Sequence, residues 1–237
     1  MRARRNTAGL PLRLLRLLRL FLLLLQGLYF AGVHFPEADN RQRRQFKRRW
    51  SRRLLESLAI RLHATAPREL PGRCLMVANH ISWVDIFAIQ ALHPAVFVAK
   101  AEIRRWPLVG RLCAGAGTIF IERGRSAAAR RVNARLAHCL QQGTPGAIFP
   151  EGTTTPGREV APFRGALFQA AIDADAIVQP IVIRYHDAKG RHSDAANYVG
   201  ETGFLQSLWS VVSAAGLAVE LRFLEPLPAQ NQSRQTL

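Results

Sequence analysis

His80 and Asp85 are the residues best suited to act together as a general base. They lie five residues apart, directly after an apolar run, residues 75–78, that is typical of a strand. A carboxylate beside a histidine fixes the imidazole tautomer and stabilises the charged form after proton uptake. Five residues on a helix separate two side chains by about 140°, so the pair cannot share one helical face. The sequence instead predicts that Ser82 caps a helix and that Asp85, at its third position, leans back towards His80.

The same two residues also have a purely structural interpretation. Asp85 could serve only as a helix cap, and His80 could be a satisfied histidine at the end of a strand. The motif alone favours neither interpretation, so further motifs must decide between them.

Two more motifs place charged residues where short apolar runs end. Residues 149–155 (FPEGTTT) close one run and contain Glu151, and residues 117–123 (GTIFIER) form another that ends in Arg123. Ligands of open α/β sheets bind at the carboxyl edge of the strands, and an arginine there can fork onto a phosphate or a carboxylate. Alternatively, Glu151 could belong to a polar turn without a chemical role, and Arg123 could form only a surface salt bridge with Glu122.

Together the three motifs resemble those of the glycerolipid acyltransferase family, whose members acylate lysophosphatidic acid and related acyl acceptors. The match consists of His-x4-Asp, Gly-x-Ile-Phe-Ile-Glu-Arg and Phe-Pro-Glu-Gly-Thr in that order, followed by Pro180 inside a late apolar strand. It covers about residues 70–190, and four motifs in a fixed order are far more specific than any one of them.

The resemblance implies a role for each matching residue. His80 would take the proton from the hydroxyl of the acyl acceptor, and Asp85 would orient His80. Arg123 and Lys100 would hold an anionic head group. The substrate-binding residues would be Lys100, Arg123, Glu151, Gly152 and Thr153. The acyl group would pass directly from a thioester to the hydroxyl, without an acyl-enzyme.

The rest of the chain agrees with direct transfer. It contains no Gly-x-Ser-x-Gly elbow to present a nucleophilic serine. Cys74, Cys113 and Cys139 are scattered among apolar residues, which argues against metal or disulfide sites and favours buried free thiols. Backbone amides near Gly152 and Thr153 are candidate oxyanion donors. We expect no metal or cofactor, only a cosubstrate, either acyl-coenzyme A or acyl-acyl carrier protein.

One departure from the family pattern affects the acyl acceptor. Members that act on lysophosphatidic acid commonly follow Glu-Gly-Thr with arginine, whereas this chain has the uncharged Thr154. Arg158 and Arg164 follow closely and could replace that charge. Residues 153–157 and 162–164 also resemble the branch that acylates lyso-ornithine lipid. Lysophosphatidic acid, giving phosphatidic acid, is therefore the first prediction, and lyso-ornithine lipid is the alternative.

The N-terminal quarter is basic and leucine-rich. The formal net charge of the 237-residue chain is +17, and residues 1–63 hold 15 Lys/Arg against 3 Asp/Glu. Arg13, Arg16 and Arg19 form one stripe on a predicted amphipathic helix. The uncharged stretch that follows, Leu20–Val33, is 14 residues long, and a full membrane span needs about 20. The pattern predicts insertion into one leaflet, with full spanning second and a cleaved signal peptide third.

A second basic segment, residues 41–53, contains eight Lys/Arg around Phe46 and Trp50. Beside an apolar helix, such a cluster predicts binding to anionic lipid head groups on the cytoplasmic side of the inner membrane. A solvated helix face and a nucleic-acid surface are the alternatives, but no nucleic-acid-binding signature is present and no such partner is expected. A catalytically silent lipid- or nucleic-acid-binding protein remains the competing functional class.

From residue 70 onward, strand-like and helical segments alternate, which predicts an α/β fold with a largely parallel sheet. The family implies a glycerol-3-phosphate acyltransferase-like mixed sheet flanked by helices, behind an N-terminal helical pair. The predicted domains are membrane-anchoring helices (1–63), an acyltransferase domain (64–228) and a polar, disordered tail (229–237). The predicted strands are 74–78, 95–99, 118–121, 147–149, 177–183 and 218–223, and the predicted helices are 83–92, 108–114, 127–142, 164–173 and 204–214.

Overall fold

The computed structural model describes residues 7–122 and 126–237. Within these residues, eight strands form a single sheet. They are β1 (Arg61–Thr65), β2 (Cys74–Ala78), β3 (Val96–Lys100), β4 (Ile119–Ile121), β5 (Gly146–Ile148), β6 (Ile177–His186), β7 (Ala218–Phe223) and β8 (Leu227–Pro228).

The strand order is β1-β7-β6-β2-β5-β3-β4, with β8 paired to β6. Five neighbours, from β6 to β4, are all parallel to one another. β7 is antiparallel to β6, and β1 is parallel to β7. The carboxyl ends of five strands therefore meet at one edge, and the predicted mixed, largely parallel sheet is confirmed.

Helices cover both faces of this sheet. They are α1 (Leu10–Tyr29), α2 (Asn40–Ser57), α3 (Val84–Leu92), α4 (Val109–Gly115), α5 (Ser126–Gln141), α6 (Gln169–Asp173) and α7 (Phe204–Ser213). A π-helical turn, Phe30–His34, extends α1, and 3-10 turns occupy Ala101–Arg105, Gly165–Phe168 and Asp194–Ala196.

The central strand β2 shows why its sequence is apolar without interruption. Cys74 and Met76 belong to the core cluster beneath α2, α3 and α7, whereas Leu75 and Val77 belong to the cluster beneath α5 and α6. Alternate side chains of a strand point to opposite faces, so a strand covered on both sides must be apolar at every position.

The structure differs from the predicted elements mainly at the margins of the sheet. The edge strand β1 and the two-residue β8 were not predicted, because mostly exposed edge residues lack the apolar pattern of central strands. The predicted domain boundary after residue 63 falls inside β1. The predicted helix 164–173 is a 3-10 turn followed by the short α6.

The tail was expected to be disordered, but its first residue is packed. Ala229 is fully buried, and its N–H donates to the Ala176 carbonyl at 3.0 Å. Disorder was predicted from the average polarity of the segment, and an average does not reveal a single apolar residue, such as Ala229, that packs in the core.

The N-terminal helices pack against the rest of the chain. The indole N–H of Trp50 in α2 donates to the Leu23 carbonyl in α1 at 2.9 Å, and Phe30 stacks on Phe46 with ring centroids 4.0 Å apart. At Gly27 of α1, a Cβ would lie 2.9 Å from a methyl group of Leu112 in α4. A Cβ here would force the Leu112 side chain to shift, so glycine allows the close approach of α1 to α4.

The arginine stripe of α1 faces α7. Arg16 is 4% exposed, and its Nη1 donates to the carbonyls of Val212 at 2.6 Å and Ala214 at 2.7 Å. The Arg13 guanidinium lies 5.4 Å from the ring centroid of Trp209. A cation at the carboxyl end of a helix is favourable because the last carbonyls carry partial negative charge. Two arginines of the predicted basic stripe thus dock α1 on α7, and leucines form the outer face of α1.

Candidate active site

The carboxyl edge of the parallel strands gathers the residues predicted to do chemistry. His80 and Asp85 follow β2, Glu151 follows β5, and Lys100 ends β3. These three strands are neighbours in the order β2-β5-β3. Arg123, predicted to bind the head group, lies outside the described residues.

Asn79 directs the chain out of the sheet just before His80. Its side chain accepts from the Ile183 N–H at 2.7 Å and donates to the Ile183 carbonyl at 3.1 Å. The last register pair of β2 and β6 joins Ala78 to Ile181. The Asn79 amide therefore replaces the next backbone pair, and β2 can end without leaving buried polar groups unsatisfied.

The imidazole of His80 and the carboxylate of Asp85 are in direct contact, as the sequence predicted. His80 Nδ1 lies 2.8 Å from Asp85 Oδ2. Asp85 is fully buried, whereas the side chain of His80 is 19% exposed. An ionised carboxylate only accepts hydrogen bonds, so Nδ1 must carry the proton. The lone pair is consequently on Nε2, which is the form needed to take a proton from a substrate.

Asp85 is held by three further donors. The backbone N–H groups of Ile81 and Ser82 donate to Oδ2 at 2.7 and 2.9 Å, and the hydroxyl of Tyr185 donates to Oδ1 at 2.6 Å. Complete burial, together with contact with Asp85, raises the pKa of Tyr185 well above its usual value. The phenol therefore stays protonated and remains a donor to the carboxylate.

The predicted capping box is only half right. The N-cap of α3 is Trp83 instead of Ser82, and Asp85 is the second helical residue instead of the third. The carboxylate does receive the Ser82 N–H, but the Ser82 hydroxyl accepts from Val84 N at 3.3 Å instead of from Asp85 N. The backward lean of Asp85 towards His80, which was the useful part of the prediction, is confirmed.

The ring and backbone of His80 are both fixed by residues that follow β5. Phe149 stacks on the imidazole with centroids 3.9 Å apart and planes 8° apart. The N–H of Thr155 donates to the His80 carbonyl at 2.7 Å. The orientation of Nε2 is therefore set by three separate contacts, with Asp85, Phe149 and Thr155.

Glu151 is a buried carboxylate with unfilled hydrogen-bonding capacity. It is 3% exposed, and neither of its oxygens has a hydrogen-bond partner among the described residues. Burial raises the pKa of Glu151, although the Thr155 hydroxyl, the amides of Ala161 and His80, and the His80 charge lie close enough to lower it in part. Buried polar groups in proteins are normally paired, so such oxygens indicate a place for a ligand donor.

The turn after Glu151 uses a conformation that favours glycine. Gly152 has φ +71°, which costs free energy for a residue with a Cβ. Its N–H donates to the Phe149 carbonyl at 3.0 Å, and this bond removes it from the candidate oxyanion donors. Thr153, the next residue predicted to bind substrate, is exposed.

Thr154, the residue that departs from the family pattern, is engaged elsewhere. Its hydroxyl donates to the Tyr198 carbonyl, which ties the turn after β5 to the loop after β6. Of the two arginines that could replace the missing charge, Arg158 binds Asp194, with an Nη2–Oδ2 distance of 3.0 Å. Arg164 instead lies against Gly152. Lys100 is exposed at the end of β3.

The three cysteines are unsuited to nucleophilic catalysis. All are free, and burial raises the pKa of the Cys74 thiol to about 12. Burial also raises the pKa of Cys113 and Cys139. The thiolate is the nucleophilic form, so none of these thiols is activated at neutral pH.

A cavity of about 670 Å³ lies elsewhere, between α7, the loop after β6 and the start of α1. His80, Asp85 and Glu151 do not line it. Among residues 7–122 and 126–237, no group of three or more His, Cys, Asp or Glu side chains is arranged to hold a metal ion.

The sequence did not predict the role of Tyr185 at this edge, and it left the choice between Arg158 and Arg164 open. Tyr185 could have been suspected only from its position at the end of an apolar strand, since nothing local links it to Asp85. Arg158 and Arg164 are equivalent in the sequence, and only their contacts separate them.

Comparisons with known proteins found relatives that match most of this chain. A lyso-ornithine lipid O-acyltransferase of Pseudomonas aeruginosa is 40% identical over 232 residues, covering 94% of this chain and 88% of that protein. A 1-acyl-sn-glycerol-3-phosphate acyltransferase of Neisseria meningitidis is 37% identical over 223 residues, covering 92% and 86%. The crystal structure of the 1-acyl-sn-glycerophosphate acyltransferase PlsC from Thermotoga maritima shares the fold, with a TM-score of 0.67 at 19% identity and coverage of 92% and 85%. The family model described as Acyltransferase matches residues 59–184, and the chain belongs to this family and is an acyltransferase.

Proposed function

We propose that the protein transfers a fatty acyl group from a thioester directly to the hydroxyl of a lysolipid. The observation that carries this proposal is the orientation of His80: Nδ1 is bound to Asp85, and Nε2 is left as the proton acceptor. A hydroxyl is a weak nucleophile until a base removes its proton, and a held imidazole is the usual base at neutral pH.

In the proposed reaction, Nε2 of His80 accepts the hydroxyl proton while the oxygen attacks the thioester carbonyl. The new C–O bond forms, and the carbonyl electrons move to the oxygen. The tetrahedral intermediate then collapses, the C–S bond breaks, and the thiolate leaves with the electron pair. The imidazolium, stabilised by Asp85, returns the proton to the thiolate, and the base is regenerated.

The first candidate for the acyl acceptor is lysophosphatidic acid, which would give phosphatidic acid. The name of the Neisseria relative and the cations at the sheet edge, Lys100 and Arg164, support this acyl acceptor. A cation near the site stabilises a phosphate through charge-assisted hydrogen bonds.

The second candidate is lyso-ornithine lipid. The name of the Pseudomonas relative supports it, and so does Thr154, which supplies no charge where an arginine is common and whose hydroxyl is bound to Tyr198. The head group of this lipid is an amino acid, which needs a less cationic site than a phosphate monoester does.

We further propose that the enzyme works at the cytoplasmic face of the inner membrane. Leu10–His34 is long and apolar enough to cross a bilayer by length and composition. However, its Gly27 and Arg16 are packed on the globular part, and one face of α1 exposes leucines. These contacts support a helix that lies in one leaflet, where the basic surface of α2 can reach anionic head groups. The same positive charge would attract an acidic donor, either coenzyme A or acyl carrier protein.

The test is acyl transfer in detergent micelles from labelled acyl-coenzyme A and acyl-acyl carrier protein, with both lysolipids offered in parallel. His80→Ala is expected to lower turnover by about 10³-fold or more while membrane binding is retained. His138→Ala, which changes an exposed histidine of α5, is the matched control. Unchanged turnover in His80→Ala would refute the mechanism and favour a binding protein.

A further inference from the structure

We infer that Arg164 is the residue that binds the anionic group of the acyl acceptor's head, in place of the arginine that is absent at position 154. This inference rests on the proposed function and specifies how its site recognises substrate. It assigns head-group specificity to a residue beyond the four motifs.

Arg164 is anchored beside the turn after β5 by its own backbone. Its N–H donates to the Pro150 carbonyl at 2.9 Å, next to Glu151. A Cβ placed on Gly152 would lie 3.4 Å from Cδ and Nε of Arg164 and 3.6 Å from Cζ. The start of the guanidinium therefore rests on the Cα of Gly152. Glycine at this position both permits the turn and makes room for the arginine.

The guanidinium of Arg164 is available for a ligand. Within the described residues it has no carboxylate within ion-pair distance, whereas Arg158 in the same loop is bound to Asp194. Arg164 is also exposed. The two arginines of this loop therefore differ: Arg158 is neutralised by Asp194, whereas Arg164 lies on the turn after β5 without a carboxylate partner among the described residues.

Thr154 cannot supply the missing function, because its hydroxyl donates to the Tyr198 carbonyl. A continuous series of contacts connects His80 with Arg164. Thr155 binds the carbonyl of His80, Glu151 is close enough to His80 to influence its own pKa, and Arg164 packs on the residue after Glu151. A head group beside Nε2 of His80 is therefore within the neighbourhood of Arg164.

The ligand chemistry follows from the guanidinium. Its planar fork of N–H groups matches two oxygens of a phosphate or a carboxylate and holds them in a fixed orientation. Lysophosphatidic acid presents a phosphate monoester, and an N-acylated ornithine presents a carboxylate. Arg164 can bind either anion, so the experiment must distinguish a phosphate head group from a carboxylate head group.

The test compares Arg164→Gln with the matched control Arg158→Gln. With whichever of lysophosphatidic acid and lyso-ornithine lipid the parent acylates faster, Arg164→Gln is expected to raise KM about 10- to 100-fold with kcat changed by less than about threefold, and Arg164→Lys is expected to recover part of the loss. Arg158→Gln is expected to stay within about twofold of the parent. Equal losses in the two Gln variants, or a fall in kcat without a change in KM, would overturn the inference.

A second measurement keeps the inference testable without turnover. Dodecyl phosphate and N-lauroylglycine are titrated calorimetrically into micellar His80→Ala protein with and without Arg164→Gln. Loss of binding for dodecyl phosphate alone supports a phosphate head group, and loss for N-lauroylglycine alone supports a carboxylate. Unchanged binding of both anions would overturn the role of Arg164. Since His80 is already absent, this result is independent of the outcome of the transfer assay.

Discussion

Two buried carboxylates at the same sheet edge have opposite surroundings. Asp85, after β2, is fully buried and receives His80, two backbone N–H groups and Tyr185. Glu151, after β5, is 3% exposed and has no partner for either oxygen among the described residues. One carboxylate is completely satisfied before any substrate arrives, whereas the other is left open.

This difference separates preorganised chemistry from substrate recognition. A carboxylate with four donors holds the imidazole in one orientation and needs no rearrangement during the reaction. A carboxylate without donors costs stability until a ligand supplies them. We therefore predict that the turn after β2 supplies the preorganised catalytic groups, and that the turn after β5 is a binding site that the acyl acceptor completes.

The largest expected effect is at the satisfied carboxylate. Asp85→Asn should lower kcat by about 10³- to 10⁴-fold, because an amide can no longer enforce the protonated Nδ1 of His80. Acyl transfer measured at saturating lysolipid checks this, with exposed Asp175→Asn as the control. More than a tenth of the parental kcat would show that the tautomer is held by other groups.

Glu151→Gln should have opposite effects on activity and stability. It should lower kcat/KM about 10²-fold, since a neutral amide attracts the acceptor lipid's donors less strongly. The free energy of unfolding at pH 7 should rise, because a buried unpaired charge is removed. Thermal unfolding and steady-state kinetics check both effects, with exposed Glu159→Gln as the control.

The same variant should change the pH dependence of stability. Burial raises the pKa of Glu151 in the folded chain above its ordinary value of 4.5, so folding favours the protonated form. Its contribution is present below pH 4.5 and is lost as the pH rises through the raised pKa. Glu151→Gln lacks this loss, so its gain in stability over the parent should grow as the pH rises from 4.5 through the raised pKa. A parallel pH–stability curve in parent and variant would contradict the unpaired state of Glu151.

Tyr185→Phe should have an intermediate effect. Loss of the hydroxyl leaves Oδ1 of Asp85 without its donor, which should cost about 1–3 kcal/mol of stability and lower kcat about tenfold. The effect on kcat should shrink when Asp85 is already Asn, because both residues act through one contact. Exposed Tyr29→Phe is the control. Additive losses would show that Tyr185 contributes only to core packing.

Thr154→Val should have the smallest effect. It removes the hydrogen bond to the Tyr198 carbonyl and should cost about 0.5–1.5 kcal/mol of stability. Kinetic constants should stay within about twofold, and Thr154→Ser should behave as the parent because it keeps the hydroxyl. A tenfold rise in the KM for either lysolipid in Thr154→Val would show that Thr154 takes part in binding the head group.

Local features were predictable from the sequence. β2 was predicted at its observed bounds, because a strand buried on both faces has no polar position to obscure it. The contact between His80 and Asp85 was also predictable, since both residues lie in one turn whose geometry follows from helix capping. The alternation of strands and helices then indicated the layered, largely parallel sheet.

Contacts between distant segments were not predictable in the same way. Tyr185 reaches Asp85 only because β6 lies beside β2, which no residue of either strand specifies. The contact of Arg16 with α7 spans 196 positions, and the choice between Arg158 and Arg164 depends on where Asp194 lies. Each of these contacts depends on tertiary neighbours, whereas a local pattern reports only on adjacent residues.

The contact between Arg16 and the end of α7 also sets an order of events during synthesis. A ribosome that adds about 5–20 residues per second needs roughly 10–40 s to produce Val212 after Arg16 has been made. During that time the inward face of α1 lacks its final neighbours, so α1 is free to reach a lipid surface before the domain folds against it. Stalled chains that end before Val212 should expose α1 to protease in solution and lose that sensitivity when vesicles are added.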